Sequence, residues 1–160
     1  MTSAAGARPA LTPGTAVAYL AAAWMMIFAA VHVYWAFGGG LLLPAGVRVP
    51  DAPALFVIDL IAIPMCAVGA VVALSFVRPF GHRIPVRGRL VAGWITAAVA
   101  IVHSAPTVIV DLARAVGLAD RELAPRAVFT NLIYEPWWFL GGVLFVIATL
   151  GLGRRAVDRS

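Results

Sequence analysis

Four uninterrupted apolar stretches divide the chain: Ala16 to Phe37, Ala54 to Val77, Leu90 to Leu112 and Leu132 to Leu152. Each is long enough to cross the hydrocarbon as a helix, which takes about 20 apolar residues. The connections between them, 38–53, 78–89 and 113–131, are too short to hold a second domain, and the first two are punctuated by Pro and Gly, as in GGG, LLLPAGVRVPDAP and RPFGHRIPVRG. Short connections make successive helices antiparallel. The pattern therefore predicts an all-α fold: one integral membrane four-helix bundle, up-down-up-down, over 1–160. Arg8 ahead of the first stretch imitates a secretory signal, but that stretch is too long for one and contains Trp24, His32, Tyr34 and Trp35, so it reads as a retained span.

Composition sharpens this reading. Of 160 residues 62% are hydrophobic and only 12% charged, whereas soluble domains are roughly 45 to 50% apolar. Disorder, coiled coil and a secreted disulfide scaffold are excluded together, and the single Cys66, inside an apolar run, allows no intramolecular disulfide. The net charge of +5 comes from Arg alone, since no Lys is present. The Arg residues fall in the connections, where membrane orientation explains them and no nucleic-acid role is needed. With a cytoplasmic N-terminus the inner side holds Arg8, Arg78, Arg83, Arg87, Arg89, Arg154, Arg155 and Arg159, against Arg48, Arg114, Arg121 and Arg126 outside. That bias predicts both termini in the cytoplasm and a multi-pass protein of the plasma membrane. The run DRELAPRAVF, with Asp120 as N-cap, reads as a short helix on the outer surface. Trp35, Trp137 and Trp138 mark the outer face and Trp94 the inner one. Trp24 lies about two turns inside the first span, so its indole N–H should find an acceptor within the bundle.

Ionisable groups inside spans are costly and usually face the bundle interior or a water-filled cavity. Here they are His32, Asp59, His103, Asp111 and Glu135, all in or near the outer half of the bilayer. Residues three, four or seven apart share a helix face. That spacing aligns Trp24, Phe28, His32 and Trp35; Asp59, Ile63 and Cys66; Thr96, His103, Thr107 and Asp111; and Asn131, Glu135, Trp138 and Gly142. The expectation is that these stripes converge on an interior pocket open to the outer face. Pro64, Pro106 and Pro136 mark the same level, either kinking the spans or shaping that pocket. The glycine runs at 38–40 and 141–142 favour close helix approach over phosphate binding, because no Walker or dinucleotide fingerprint exists.

The segment HVYWAFGG at the end of the first span and EPWWFLGGVLF at the start of the fourth together resemble a family of small four-span bacterial membrane proteins catalogued as a domain of unknown function. The resemblance covers nearly the whole chain, implies the fold and the membrane location, and directs attention to His32, Trp35, Glu135 and Trp138. It implies no activity.

Three classes of function fit these residues. The first is a site for a small hydrophobic or lipid-like ligand, with acid/base capability: Asp59 or Glu135 as the acid, His32 or His103 as base or orienting partner, and Trp24, Trp35, Thr107 and Trp138 as pocket walls. The second is a haem held axially by His32 and His103, or a metal held by them with Asp59 and Glu135. No CxxCH, HExxH or paired His on one helix is present, so the spacing names no cofactor. The third is a non-catalytic subunit for a membrane protein partner, whose polar groups lock helices together. A proton path across the bilayer has little support, because the inner half offers only Ser75, Thr96 and Thr149. Whether the protein is an enzyme is left open by the residues.

Overall fold

A computed structural model describes residues 12–119 and 133–158. Arg8, the DRELAPRAVF run with Arg121 and Arg126, Asn131 and Arg159 lie outside the described residues. Four long helices make up the fold: α1 Pro13–Ala36, α2 Pro53–Ser75, α3 Val86–Ala115 and α4 Glu135–Val157. All four are long and apolar enough to cross a membrane. At 1.5 Å per residue the shortest runs about 35 Å, more than the roughly 30 Å hydrocarbon core. Their outward faces carry Leu20, Ile27, Leu60, Val68, Val102 and Ile109, all more than half exposed. Such a surface is stable only against lipid, and the chain is a multi-pass membrane protein.

The helices extend beyond the apolar stretches for local reasons. Thr12 caps α1, its hydroxyl accepting from the Thr15 N–H at 3.4 Å, and Pro13 opens the first turn, so α1 starts three residues before Ala16. The α3 helix takes in Val86 to Arg89, and α4 runs through Arg154 and Arg155. Arginine is a good helix former that keeps its charge at the membrane boundary. Pro136 falls in the first turn of α4, where the missing N–H costs nothing. It marks a helix start, with a π-type turn at Ile133 and Tyr134 before it, rather than a kink. Gly38 likewise differs from expectation. With φ +86° and its N–H donating to the Trp35 carbonyl at 2.8 Å, it is a left-handed cap ending α1 rather than a helix contact.

Small residues set the packing. Ala18, Ala21, Ala22, Ala70, Ala73, Ala97, Ala100 and Ala148 are buried between the helices, and close backbone approach of this kind replaces the hydrophobic effect as the source of association in lipid. Gly14 and Gly151 cross so closely that a Cβ on Gly14 would stand 3.5 Å from the Gly151 Cα. A Cβ on Gly142 would meet the Ile101 backbone nitrogen at 3.2 Å, as expected of a helix-approach glycine. These contacts join α1 to α2, α3 to α4, and the two pairs through α1 and α4. The α2 and α3 helices barely touch. The bundle is thus an antiparallel row, α2-α1-α4-α3, open along one side.

Candidate functional site

Each helix pair carries its own histidine and carboxylate. His32 on the last turns of α1 and Asp59 near the start of α2 are both buried, and His32 Nδ1 lies 2.8 Å from Asp59 Oδ1. Phe28, one turn below His32, and Trp35, one turn above, pack edge-on against its ring at 4.7 and 5.1 Å between centroids. This closes the pair off, yet His32 Nε2 and Asp59 Oδ2 are buried without a hydrogen-bond partner. On the other pair of helices, His103 Nε2 stands 3.7 Å from Glu135 Oε1. Here the imidazole is 59% exposed while the carboxylate is 12% exposed, and Glu135 Oε2 is buried and unpartnered. At 3.7 Å this is an ion-pair separation and too long for a good hydrogen bond.

An aromatic wall stands between the two pairs. Trp24 stacks on Trp137 at 3.6 Å and donates its indole N–H to the Trp137 carbonyl at 3.2 Å, the interior acceptor its depth requires. A Cβ on Gly141 would approach Trp24 to 2.9 Å, so only glycine there lets the indole lie flat. Phe28 packs edge-on against Trp138 at 5.0 Å, and Trp138 faces His103 at 5.7 Å. Thr107 is part-buried one turn beyond His103 on the same face of α3. Above this layer the first connection folds over: Trp35 Nε1–H donates to the Leu41 carbonyl at 2.7 Å, and the Tyr134 hydroxyl donates to the Leu42 carbonyl. Leu42 adopts φ +66°, a left-handed conformation costly for leucine, to present that carbonyl.

The four titratable groups therefore do not meet in one interior pocket open to the outer face. They form two pairs, each inside one helical hairpin, because the aromatic side chains at the α1–α4 contact fill the space between. Among the described residues no three His, Cys, Asp or Glu side chains come together in a way that would hold a metal ion. The line from His32 through Phe28 and Trp138 to His103 is packed ring against ring, which leaves no slot for a haem with those two axial ligands. Asp111 is paired with Arg114 at 2.8 Å and takes no part in either histidine pair.

The accessible space lies elsewhere. Where α2 and α3 fail to close, a cleft of about 500 Å³ opens sideways, lined by Leu60, Pro64 and Met65 of α2, Ile95, Thr96 and Val99 of α3, and Met25, Cys66, Gly69 and Trp138. Ligand pockets commonly fall in this size range. Its outer end is level with both pairs, since Leu60 follows Asp59 and Val99 lies one turn below His103. Trp138 belongs to the cleft wall and to the His103 contact alike. Sequence reasoning placed Thr96 and Trp138 on inward stripes but missed the cleft, which exists through an absent contact that no residue pattern encodes. It also missed the structural use of Tyr134 and Leu42, which are neither acidic nor in register with a stripe.

A family model described as Protein of unknown function (DUF3995) matches residues 25–145. The match takes in both histidine–carboxylate pairs and the whole cleft lining. No curated protein and no solved structure matches the chain.

Proposed function

We propose, from the premise that this chain belongs to the DUF3995 family of proteins of unknown function, that it binds a single-chain amphiphile: the alkyl chain in the α2–α3 cleft, the polar head against His103 and Glu135. The observation that carries this reading is the apolar cleft ending beside an exposed imidazole and a buried, unpartnered carboxylate oxygen. An orphaned buried acceptor is costly until a donor reaches it, so the head should be a hydroxyl or an ammonium group rather than an acid. The His32–Asp59 pair, walled off from the cleft, ties α1 to α2. Trp138 forms the boundary between chain and head, with Trp24, Trp35 and Thr107 shaping the layer above and beside it.

A brominated monoacylglycerol tests this through saturable quenching of tryptophan fluorescence in the detergent-purified protein, to which Trp138 in the cleft wall contributes. Val99→Phe, which fills the cleft, is expected to weaken binding about tenfold, whereas Val102→Phe, 72% exposed and outside the cleft lining, should not. Equal quenching in all three proteins would remove the ligand reading. If Val99→Phe instead changes the oligomeric state, the cleft receives a partner helix and the protein is a membrane subunit.

A second reading, acid/base chemistry on the bound head, is favoured by the 3.7 Å His103–Glu135 separation. It requires a chemically altered amphiphile after incubation, lost in His103→Ala; recovery of the intact ligand leaves binding alone.

We place the arginine-rich ends of the helices, with both termini, in the cytoplasm of a plasma membrane, on the strength of the charge bias. A cysteine introduced by Val157→Cys should react with an impermeant maleimide only after cell lysis, and labelling of intact cells would reverse the orientation. Cys66, 1% exposed, supplies no background.

A further inference from the structure

The connection 37–52 crosses the outer end of α1 and α2, and little holds its middle down. Its far part is anchored: Val49, 2% exposed, opens the 3-10 turn Val49–Asp51, which packs on α1 and α2. The middle hangs from two backbone carbonyls, Leu41 accepting from the Trp35 indole N–H at 2.7 Å and Leu42 from the Tyr134 hydroxyl. The side chains of Leu41 and Leu42 are exposed and add little burial. Open space flanks this stretch on both sides, about 370 Å³ against Ile27, Val31 and Tyr34 of α1, and about 480 Å³ against Arg48, Leu55 and Tyr134. Gly38 and Gly46, at φ +86° and +79°, turn the chain at its two ends, and Leu42 at φ +66° holds a conformation that leucine disfavours. Beneath lies Trp35, 4% exposed and edge-on to His32, and below it His32 Nε2 and Asp59 Oδ2 are buried without hydrogen-bond partners.

From this we infer that residues 39–47 form a latched strap whose lifting admits water to the His32–Asp59 pair. Two states compete. With the strap down both carbonyl bonds are made, but Leu42 is strained and two buried polar atoms go unpaired, each at a cost. With the strap up Leu42 relaxes, Trp35 loses its acceptor and turns aside, and water reaches the pair. Water suits both atoms whichever ring nitrogen carries the proton, because it donates to Asp59 Oδ2 and either donates to His32 Nε2 or accepts from it. Local opening occurs in segments with few buried contacts, and this stretch has Val49 as its only buried anchor. Tyr134 directly precedes Glu135, so the latch also joins the strap to the His103–Glu135 pair. No ligand in the α2–α3 cleft is needed, and the strap stands apart from the amphiphile reading.

Diethyl pyrocarbonate, which acylates an accessible neutral imidazole nitrogen, tests this on the full-length protein in detergent, with peptide mass spectrometry separating His32 from the exposed His82. In the wild type His32 should react at least about tenfold more slowly than His82, its rate following the population of the lifted strap. Tyr134→Phe removes one latch and should raise the His32 rate about fivefold. Leu42→Asn puts a residue that tolerates the left-handed conformation at the strained position and should lower the rate about threefold, so the test survives if the first variant misfolds. Gly81→Ala, in the turn at the opposite end of the bundle, destabilises the whole fold and should leave the rate within about twofold, because lifting the strap needs no global unfolding. Equal His32 rates in wild type and both strap variants, a wild-type His32 as reactive as His82, or a rise in Gly81→Ala matching that in Tyr134→Phe would overturn the inference.

Discussion

Replacing His32 by alanine is expected to destabilise the bundle by about 3 kcal/mol. Asp59 is 3% exposed, its Oδ2 has no hydrogen-bond partner, and its Oδ1 depends on His32. Removing the imidazole strands a carboxyl group between α1 and α2 with nothing in lipid or protein to receive it. Asp59→Ala strands the imidazole in the same way, at a smaller cost because a neutral ring is cheaper to bury. The double variant should cost clearly less than the sum of the two, since the group each single change orphans is then gone. Asp59→Asn keeps an acceptor for the His32 N–H and should cost about 1 kcal/mol. Unfolding in mixed micelles of increasing denaturing-detergent fraction measures all four proteins. Additive effects below about 0.5 kcal/mol would mean that the pair contributes nothing to joining the helices.

Gly81→Ala should be similarly severe, about 3 kcal/mol, for a steric reason. A Cβ on Gly81 would land on the carbonyl oxygen of Ser75 and within 2.8 Å of its Cα. The obstacle is backbone at the end of α2, which no rotamer change can move aside, so the 3-10 turn Pro79–Arg83 must lift off the helix. The same carbonyl accepts from Arg89, so the shift should also loosen that guanidinium. Gly88→Ala is the internal control: its Cβ meets only Ile84 Cγ2, at 3.6 Å, and alanine in the first turn of α3 should stabilise by about 0.5 to 1 kcal/mol. Thermal unfolding of the two variants beside wild type decides the matter. A Gly81→Ala protein as stable as Gly88→Ala would show that the turn does not pack as described.

How much of the site was legible in one dimension can be judged residue by residue. Trp24 is the clearest success: its depth in an apolar span required an interior acceptor, and the Trp137 carbonyl is that acceptor. Gly142 was readable for a similar reason, since a glycine on an inward stripe admits a neighbouring helix, here at Ile101. His32, Asp59 and Glu135 were identifiable as inward-facing, whereas the His103 imidazole is 59% exposed, and the two separate couples were not legible. Any of the histidines is at a suitable depth for either carboxylate, and Phe28 and Trp138, filling the space between, decide the pairing. Gly38 misled because a glycine that ends a helix and a glycine that admits a neighbour look alike until φ is known.

What the sequence alone determined is whatever depends on neighbours along the chain. Stretch length against bilayer thickness determines that there are four spans, connection length makes them antiparallel, and the 3.6-residue period finds the inward face of α1, though on α3 the buried face is Gly93, Ala97, Ala100 and Ser104 rather than the stripe through His103. What only the tertiary structure decided is which inward faces meet. Gly14 against Gly151 draws α1 to α4, Gly142 against Ile101 and Ala100 draws α4 to α3, and no comparable contact draws α3 back to α2. That outcome is a competition among all helix pairs for close approach, so no single segment encodes it. The open cleft and the two isolated histidine pairs are its consequences.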